Sequence, residues 1–260
     1  MPFHTRHKYN RAPPDGVRWH RFAHARPASD ALLRSDASSL IADRSRVRLL
    51  EGLSESDQNT ILAAASYWRF SGPSVVASEG EPAEQLFLVI TGSARYFVIT
   101  PEGRKVYLFW LVPGDIFGGA SLLAKPSHFL VSTEIAKNSS VCVWERKRIR
   151  SLAARYPRLL ENGLAIATDY LTWYLASHLG LLCHTARQRL AHVLVSLANG
   201  LGRKCADGIQ LDITNEQLAS TANITPFTAS RLLSEWHRRG AVAKSRGRVV
   251  LRRPERLILS

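Results

Sequence analysis

The segment 214–253 constrains the fold more than any other part of the chain, because its residues specify two short helices, a tight turn and a ribbon. Thr214 and Gln217 have the spacing of a capping box, which predicts the start of a helix. Asn223 suits a left-handed turn position, and Pro226 suits the first position of a second helix. We therefore expect a helix-turn-helix followed by a two-stranded ribbon with a basic tip.

The second helix of this segment, which Thr225 caps and Gly240 ends, has two faces. Residues at helical spacing are expected to pack inward; they are Ala229, Leu232, Leu233 and Trp236. The opposite face is expected to stay free; it carries Phe227, Ser230, Arg231 and Ser234. Because the N-terminal end of such a helix enters the major groove of DNA in helix-turn-helix proteins, this face is a candidate for base recognition.

We expect Phe227, Ser230 and Arg231 to contact bases. An arginine can donate to O6 and N7 of guanine, which is typically worth ~1–3 kcal/mol of discrimination, whereas a phenyl ring can only touch a thymine methyl group. The alternative interpretation is an ordinary helical hairpin with a solvated arginine. The basic ribbon that follows at the expected place argues against that alternative.

The 260-residue chain carries a formal net charge of +14, and the charge is concentrated at its two ends. Segment 1–50 has 10 basic and 4 acidic residues and segment 184–260 has 13 and 5, whereas segment 51–183 has 12 of each. A basic C-terminal segment is typical of proteins that bind polyanions. A generally basic surface would not leave the middle of the chain neutral.

Cysteine and hydropathy patterns argue against several other classes of protein. Cys142, Cys183 and Cys205 are far apart and form no CxxC pair, so neither a disulfide framework nor a four-cysteine metal site is expected. The sequence shows neither the ~18-residue apolar run of a transmembrane helix nor the apolar region of a secretory signal. We therefore expect a cytoplasmic protein without a membrane segment. Cys183 and His184 could sense the redox state or bind a metal, but adjacent residues point to different sides of a helix, and a buried structural role is favoured for Cys183.

The chain divides by pattern into four predicted segments: a basic, disordered extension (1–43), a β-rich domain (44–157), a long helix (158–184) and a C-terminal domain (185–260). Gly and Pro punctuate several short strands in the β-rich domain, which predicts an antiparallel sandwich or barrel. The candidate strands are 85–91, 94–100, 105–111, 130–135 and 141–144.

Helices are also predicted on both sides of these strands. Ser54 and Asp57 have capping-box spacing, so a helix is expected to run from there to about Tyr67. After the strands, the segments 158–184 and 186–199 have helical periodicity.

The long helix carries an apolar seam with three- and four-residue spacing, consisting of Leu160, Leu164, Ala167, Leu171, Tyr174, His178 and Leu181. Such a seam suits pairing with a second copy of the chain. The alternative is that the seam packs on the sheets of the same chain. Both can hold, because one helix has two faces, and a homodimer is the favoured interpretation.

This order of elements resembles the Crp/Fnr family of bacterial transcription regulators. Besides the helix-turn-helix, the resemblance rests on GLSESD (52–57), EGEPAEQLFLVITGSARYF (79–97), PGDIFGGASLL (113–123) and RQRLAHVLVSLA (187–198). It implies an α+β fold in which residues 44–157 form an antiparallel β-roll sensor domain of the cyclic-nucleotide-binding type, followed by a long dimerisation helix and a winged helix-turn-helix. It also implies a homodimer on a near-palindromic operator in double-stranded DNA, with RNA polymerase as a further partner.

In this family a Glu early in the recognition helix commonly reads a base, and an Arg four residues later reads a guanine. Arg231 matches that Arg, Ser230 matches a residue of the Fnr branch, and Phe227 stands at the Glu position. A phenyl ring cannot accept a hydrogen bond from cytosine N4, so we expect an altered half-site but not a loss of DNA binding. Phosphate contacts, which add salt-dependent affinity, are expected from Thr214, Thr225, Thr228, Ser234, Lys244, Arg246 and Arg248.

The segment 114–133 lies where cyclic-nucleotide-binding members of the family hold the sugar-phosphate with backbone N–H groups, an Arg and a carboxylate. By position, Gly119 replaces the Glu and Phe129 replaces the Arg, so we predict that cyclic AMP binding is lost. Lys125 or His128 could supply a positive charge if the loop were rearranged. The remaining residues of this degenerate effector pocket are Gly118, Ala120, Ser121 and Leu130.

The positions of the long helix that contact the adenine of cyclic AMP in the family hold Tyr174 and Leu175, which is a further mismatch with that ligand. Other ligands of the family fit no better. Members with an iron–sulfur cluster need several cysteines, mostly near the N-terminus, and none precedes Cys142. Haem-binding members need a His where Ala120 stands. We therefore expect no cofactor and no metal.

The favoured hypothesis is a homodimeric, sequence-specific DNA-binding transcription regulator that acts without cyclic AMP. The alternative is an effector-sensing protein that signals mainly through protein–protein contacts and has vestigial DNA binding, in which Phe227 is an exposed apolar anchor. An enzyme is not expected, because the sequence shows no paired carboxylates, no nucleophile motif and no metal-ligand spacing.

Overall fold

The computed structural model describes residues 25–27 and 47–257. Within the extension predicted to be disordered, Ala25–Pro27 forms strand β1, which pairs with the first strand of the sensor domain. The rest of that extension lies outside the described residues.

The sensor domain consists of two antiparallel sheets. Its further strands are β2 (Ser66–Phe70), β3 (Ser74–Ala77), β4 (Gln85–Thr91), β5 (Ala94–Ile99), β6 (Lys105–Leu111), β7 (Ile116–Phe117), β8 (Ser132–Ile135) and β9 (Ser139–Glu145). One sheet has the order β1-β2-β9-β4-β7, and the other has the order β3-β8-β5-β6. The five strands expected from the sequence correspond to β4, β5, β6, β8 and β9, which confirms the antiparallel β-domain.

Aromatic residues fill the core between the strands. Phe87 of β4 stacks on Phe117 of β7 with ring centroids 4.5 Å apart. The fully buried Trp144 of β9 donates from Nε1 to the Ile61 carbonyl at 2.8 Å. The second contact holds the helix that contains Ile61 (Glu55–Ala63) against the sheet.

Helix α1 (Glu55–Ala63) begins as predicted, because the Asp57 N–H donates to Ser54 Oγ at 3.1 Å. The helix does not run to Tyr67, and this part of the prediction is wrong. Ser66–Phe70 is strand β2 instead and pairs with β9 along its whole length. Aromatic residues such as Tyr67 favour strands, and pairing with a strand distant in sequence decides between the two structures.

Three helices connect the sheets to the C-terminal domain: α2 (Arg146–Arg155), α3 (Arg158–Cys183) and α4 (Ala186–Leu201). Helix α3 confirms the predicted long helix. Helix α4 begins at a complete capping box formed by Thr185 and Gln188, immediately after α3 ends.

Helix α3 packs on the sensor domain with one face only. Leu159 and Ile166 are buried, and Asn162 Nδ2 donates to the carbonyls of Leu49 and Glu51 at 2.9 Å each. The residues of the predicted seam are exposed; they are Leu160, Leu164, Ala167, Leu171, Tyr174, His178 and Leu181. The seam therefore does not pack on the sheets of its own chain.

The C-terminal domain contains β10 (Arg203–Cys205), β11 (Gly208–Leu211), α5 (Asn215–Thr221), α6 (Pro226–Arg238), β12 (Val242–Ser245) and β13 (Arg248–Leu251). The ribbon predicted to have two strands is half of a four-stranded sheet of order β10-β11-β13-β12. The domain has its own core, to which α4, α5 and α6 contribute Leu194, Leu218 and Trp236. Trp110 of β6, from the sensor domain, also belongs to this core.

The prediction that Cys183 is buried is wrong, because this last residue of α3 is exposed. The neighbouring Leu181 and Leu182 are exposed as well, so the described chain leaves the end of the helix uncovered. Cys142 is buried in β9, where burial raises the pKa of its thiol.

None of the described helices combines the length and the hydropathy that a membrane crossing requires.

Candidate nucleic-acid interface

The helix-turn-helix begins at α5, whose first turn is closed by a reciprocal capping box. The Gln217 N–H donates to Thr214 Oγ1 at 3.2 Å, and the Thr214 N–H donates to Gln217 Oε1 at 2.9 Å. After α5, Asn223 has a φ of 49°, in the left-handed region. These features confirm the predicted helix start and turn.

Helix α6 starts at the residues expected from the sequence. The Thr228 N–H donates to Thr225 Oγ1 at 3.1 Å, and the two hydroxyl oxygens are 2.9 Å apart. Both hydroxyls therefore lie at the N-terminal end of α6, where the helix dipole favours an anion. The predicted inward face is buried and consists of Ala229, Leu232, Leu233 and Trp236.

Phe227 and Arg231 project from the opposite face of α6. The Phe227 side chain is 77% exposed although it is apolar, and Arg231 is exposed as well. Ser230, on the same side of the helix, is half-buried. Residues three and four apart are neighbours on a helix, so the structure brings the three candidate base-contacting residues to one surface.

Ser234 is not free, although the sequence placed it on the exposed face. Its hydroxyl donates to the Ser230 carbonyl at 2.7 Å, and Lys244 Nζ donates to the same hydroxyl at 2.6 Å. Lys244 comes from β12, and this bond therefore joins the ribbon to α6. The sequence pattern of the helix alone could not reveal a partner on another element.

The tip of the ribbon carries Arg246 and Arg248. Gly247 between them has a φ of 69°, which allows the tight reversal of the chain. Arg248 Nε donates to Asp212 Oδ1 at 3.2 Å, but both side chains are about half-exposed, so salt screens this ion pair. Arg246 is exposed and has no ion-pair partner within residues 47–257. Arg246 is therefore the more available of the two guanidinium groups.

An ion pair fixes α6 against α4. Arg187 Nη2 donates to Glu235 Oε2 at 2.6 Å, and Arg239 Nη2 lies 2.9 Å from the other carboxylate oxygen. The hydrogen bond from Arg187 lowers the pKa of Glu235, desolvation opposes this, and the charges of Arg187, Arg239 and Arg231 lower the pKa further. The carboxylate therefore stays ionised at neutral pH.

Arg189 of α4 holds the turn of the helix-turn-helix, a role that the sequence analysis missed. Its guanidinium donates to the carbonyls of Ala222 at 3.0 Å, Asn223 at 3.3 Å and His184 at 2.7 Å. One side chain thus connects the end of α3 with the turn before the recognition helix. No local motif could have indicated this, because the turn is more than thirty residues away in sequence.

In the degenerate effector pocket, a short 3-10 helix (Gly119–Leu122) follows Gly118, which has a left-handed φ of 77°. The half-buried Phe129 packs against the sensor-domain core, with its ring next to Gly118. Within this turn, Gly119 is exposed, Ala120 half-buried and Ser121 buried. Positions 119 and 129 therefore offer neither a carboxylate nor a guanidinium group to a ligand.

The other polar side chains near this segment are exposed or bonded to its backbone. Lys125 and His128 are exposed, and so is Leu130, at 84%. Arg146 of α2 donates to the carbonyls of Leu123 and Ala124 at 2.9 and 3.1 Å. The nearby guanidinium group is therefore engaged by the backbone of the segment.

An aromatic cluster joins β5 and β6 to α3. The ring of Phe109 lies 5.5 Å from Tyr170 and 4.5 Å from Trp173, measured between centroids. The Tyr170 hydroxyl donates to the Ile116 carbonyl at 2.8 Å and so joins α3 to β7, the strand at the start of the segment 114–133. Burial raises the pKa of Tyr96 and of Tyr170, so both hydroxyls stay protonated. The cluster therefore consists of uncharged aromatic side chains that pack against one another.

Two family models match the chain. The cyclic nucleotide-binding domain matches residues 68–156, and the Crp-like helix-turn-helix domain matches residues 188–259. The matched regions contain the two-sheet domain and the helix-turn-helix with its ribbon.

Similar proteins are regulators. The anaerobic regulatory protein of Bacillus subtilis (strain 168) is 24% identical over 247 residues, which are 91% of this chain and 92% of that protein. The CRP-like cAMP-activated global transcriptional regulator of Mycobacterium tuberculosis (strain H37Rv) is 26% identical over 184 residues, 70% of this chain and 82% of that protein. These relatives agree with the expectation that the chain is not an enzyme.

Solved structures of bacterial regulators have the same fold as this chain. FixK2 from Bradyrhizobium japonicum superposes with a TM-score of 0.65 at 26% identity and covers 74% of this chain and 95% of its own. The c-di-GMP responsive global regulator CLP of Xanthomonas campestris also reaches a TM-score of 0.65, at 20% identity, and covers 76% of this chain and 99% of its own.

Replacing Arg189 with Met keeps the aliphatic stem but removes three hydrogen bonds to carbonyl oxygens. We expect Arg189→Met to destabilise the C-terminal domain by roughly 2 kcal/mol, because hydrogen bonds from charged groups contribute more than neutral ones. The free energy of unfolding, measured by urea denaturation, tests this.

Arg203→Met is the matched control, since Arg203 forms an exposed ion pair with Asp212. Such a surface pair is worth at most about 1 kcal/mol. Equal losses of stability in the two variants would contradict the role assigned to Arg189.

Proposed function

Because the chain belongs to the Crp/Fnr family of transcription regulators, we propose that it binds a near-palindromic operator as a homodimer and without cyclic AMP. The observation that carries the proposal is the exposed face of α6, which presents Phe227 and Arg231 beside a basic ribbon. The protein is expected to act in the cytoplasm, with RNA polymerase as a further partner at the operator. The protein is a regulator and not an enzyme.

Base recognition is assigned to the N-terminal half of α6. Arg231 is exposed and can donate to O6 and N7 of a guanine, whereas Phe227 can contact a thymine methyl group. Ser230 lies between them and supplies a hydroxyl group. This combination of side chains replaces the Glu of the family pattern with an apolar contact, which favours thymine over cytosine at that step.

Phosphate contacts are assigned to residues that flank this face. Thr225 and Thr228 lie at the N-terminus of α6, and Arg246 lies at the tip of the ribbon. Lys244 and Arg248 are engaged by Ser234 and Asp212, so they must exchange or share these partners when they approach DNA. Thr214 and Ser234 complete the assigned set. We expect Arg246 to contribute the largest share of the salt-dependent affinity.

The seam of α3 supports the homodimer. Leu164 and Leu171 are 70% and 57% exposed, and Tyr174 is 60% exposed, while the inner face of the same helix is buried. A contiguous apolar surface of this kind is typical of a protein–protein interface. Seam residues recur at the spacing of a two-stranded coiled coil, which favours a second copy of α3 as the partner.

The absence of a cyclic AMP requirement is inferred from the effector pocket. A bound cyclic nucleotide needs a positive charge for its phosphate, but Phe129 stands at that position and packs into the core. We infer that the aromatic cluster of Tyr96, Phe109, Tyr170 and Trp173 takes up the space beside α3 that a cyclic nucleotide would need. Binding would require these rings to leave a packed environment, with no ion pair in return.

A second candidate function is supported by Phe227 alone. An apolar side chain that is 77% exposed is also a suitable anchor for another protein, with DNA binding reduced to a vestige. The DNA experiment below distinguishes the two candidates.

A selection from random double-stranded DNA, run in parallel with and without cyclic AMP, tests the proposed function. We expect enrichment of one near-palindromic sequence, with the same sequence and affinity in both arms. Enrichment of no sequence in either arm would favour the protein–protein alternative. Enrichment only with cyclic AMP would overturn the assignment of the effector pocket.

Replacing Arg231 should change the base preference of the protein, whereas replacing Arg246 should change the salt dependence of its affinity for DNA. Arg231→Ala should remove the preference for one guanine per half-site, a loss of about 1–3 kcal/mol of discrimination. Arg246→Ala should weaken binding to all sequences alike and reduce the salt dependence of the affinity by about one counterion per subunit. Titrations of selected and mismatched duplexes at several salt concentrations measure both effects. Unchanged preference in the first variant, or an unchanged salt slope in the second, would refute the corresponding assignment.

The dimer seam can be tested with two leucines that are equally exposed in a single chain. Leu171→Asp places a charge in the seam and should yield a monomer in sedimentation experiments, because a buried unpaired carboxylate is costly. Leu123 is 54% exposed, close to the 57% of Leu171, but lies outside the seam, so Leu123→Asp should remain a dimer. A dimeric Leu171→Asp variant would show that the two copies pair through another surface.

A further inference from the structure

Strand β6 of the sensor domain contributes a side chain to the core of the C-terminal domain. Trp110 is 8% exposed and packs in the same core as Leu218 and Trp236. Its Nε1 donates to Thr221 Oγ1 at 3.1 Å, at the last residue of α5. The Thr221 hydroxyl donates in turn to the Gln217 carbonyl at 2.9 Å. A tryptophan of one domain is thus both packed into and hydrogen-bonded to the first helix of the helix-turn-helix.

The backbone makes a second contact between the same two elements. β6 is an edge strand, and edge strands present N–H groups that lack a partner within their sheet. The Tyr107 N–H donates to Ser220 Oγ of α5 at 3.3 Å. Beyond the end of β6, Val112 lies against Gly200 of α4, where a Cβ on residue 200 would come within 2.7 Å of Val112 Cγ1. The side of β6 is therefore in contact with both α5 and α4.

A buried ion network supports Trp110 from the sensor side. Arg95 Nη2 lies 2.6 Å from Glu134 Oε2, and Lys105 Nζ lies 2.8 Å from Oε1 of the same carboxylate. The Arg95 guanidinium lies over the rings of Tyr107 and Trp110, 4.4 and 5.1 Å from their centroids. The Arg95 and Glu134 side chains are about nine-tenths buried and paired with each other. Because such a buried pair has little freedom to move, it restricts the position of the Trp110 ring that it contacts.

From this geometry we propose that Trp110 is a positioning residue for DNA binding. It docks α5 on β6 and so fixes the orientation of α6 relative to the sensor domain. The proposal rests on the homodimer proposed above. In a dimer, the two recognition helices must enter grooves about one helical turn of DNA, ~34 Å, apart. The distance between them depends on the orientation of each C-terminal domain on its sensor domain. Trp110 thus sets the preferred spacing of the half-sites without touching DNA.

The short connection between α3 and α4 could not hold this orientation by itself. Only His184 and Thr185 separate the two helices, and both residues are exposed. Rotation about a few backbone angles in such a connection moves a whole domain. The contact between β6 and α5 opposes that rotation at a point away from the hinge.

The test uses full-length Thr221→Val and Trp110→Phe, which remove the acceptor and the donor of one hydrogen bond and keep most of the packed volume. Thr60→Val is the matched control, because Thr60 Oγ1 makes the same bond to the carbonyl four residues earlier, at 3.0 Å, on the exposed face of α1. Two measurements are made on each variant: hydrogen exchange of α5 and of residues 184–185, and affinity for the selected operator with its spacer unchanged or longer by one base pair.

We expect wild-type protein and Thr60→Val to bind the unchanged spacer about tenfold more tightly than the longer one, because misplacing one helix forfeits specific contacts. In Thr221→Val and Trp110→Phe this ratio should fall to about threefold or less, with faster exchange in α5 and unchanged base preference within each half-site. A merely structural role would lower the affinity for both spacers equally and would overturn the proposal.

Two other outcomes are also decisive. Exchange rates in both variants equal to those of Thr60→Val would overturn the docking role of Trp110, whatever the DNA result. If wild-type protein selects no operator, the proposed function fails, and the exchange measurement still decides whether Trp110 holds α5.

Discussion

The burial of one face of α6 is the constraint on which the proposed DNA-reading surface depends. Leu232, Leu233 and Trp236 are buried against the rest of the C-terminal domain, and each such side chain contributes about 1.5–3 kcal/mol. A helix that buries one stripe must turn the opposite stripe to solvent. Phe227 and Arg231 therefore face outward as a consequence of the core, and the ion pair of Glu235 with α4 and the bond from Lys244 fix the helix further.

The long helix α3 follows the same rule with a different result. Its inner face packs on the sensor domain and brings Tyr170 and Trp173 against Phe109 of β6. Its outer face keeps a row of exposed leucines. One helix thus carries both the aromatic contacts to the sensor domain and the proposed dimer surface.

Local sequence signals predicted most of the helix-turn-helix, because a capping box, a left-handed Asn and a helix-starting Pro act within about four residues. The errors arose where a partner distant in sequence decides. Tyr67 joins a strand because β9 pairs with it, and Ser234 is occupied because Lys244 reaches it from the ribbon. Arg189 was missed because its acceptors lie in a turn that only folding brings near. Cys183 was expected to be buried, but a single chain leaves the end of α3 uncovered.

The sequence by itself determined the order of the elements, the polarity of each helix face and the residue types at the family's charged positions. Periodicity and capping are properties of neighbouring residues, and the chain carries them before it folds. The tertiary structure decided which surfaces meet: α5 on the edge of β6, Trp110 in the core of the other domain, and Trp173 of α3 against Phe109 of β6. Such contacts depend on packing between segments far apart in the chain, whose geometry no local pattern encodes.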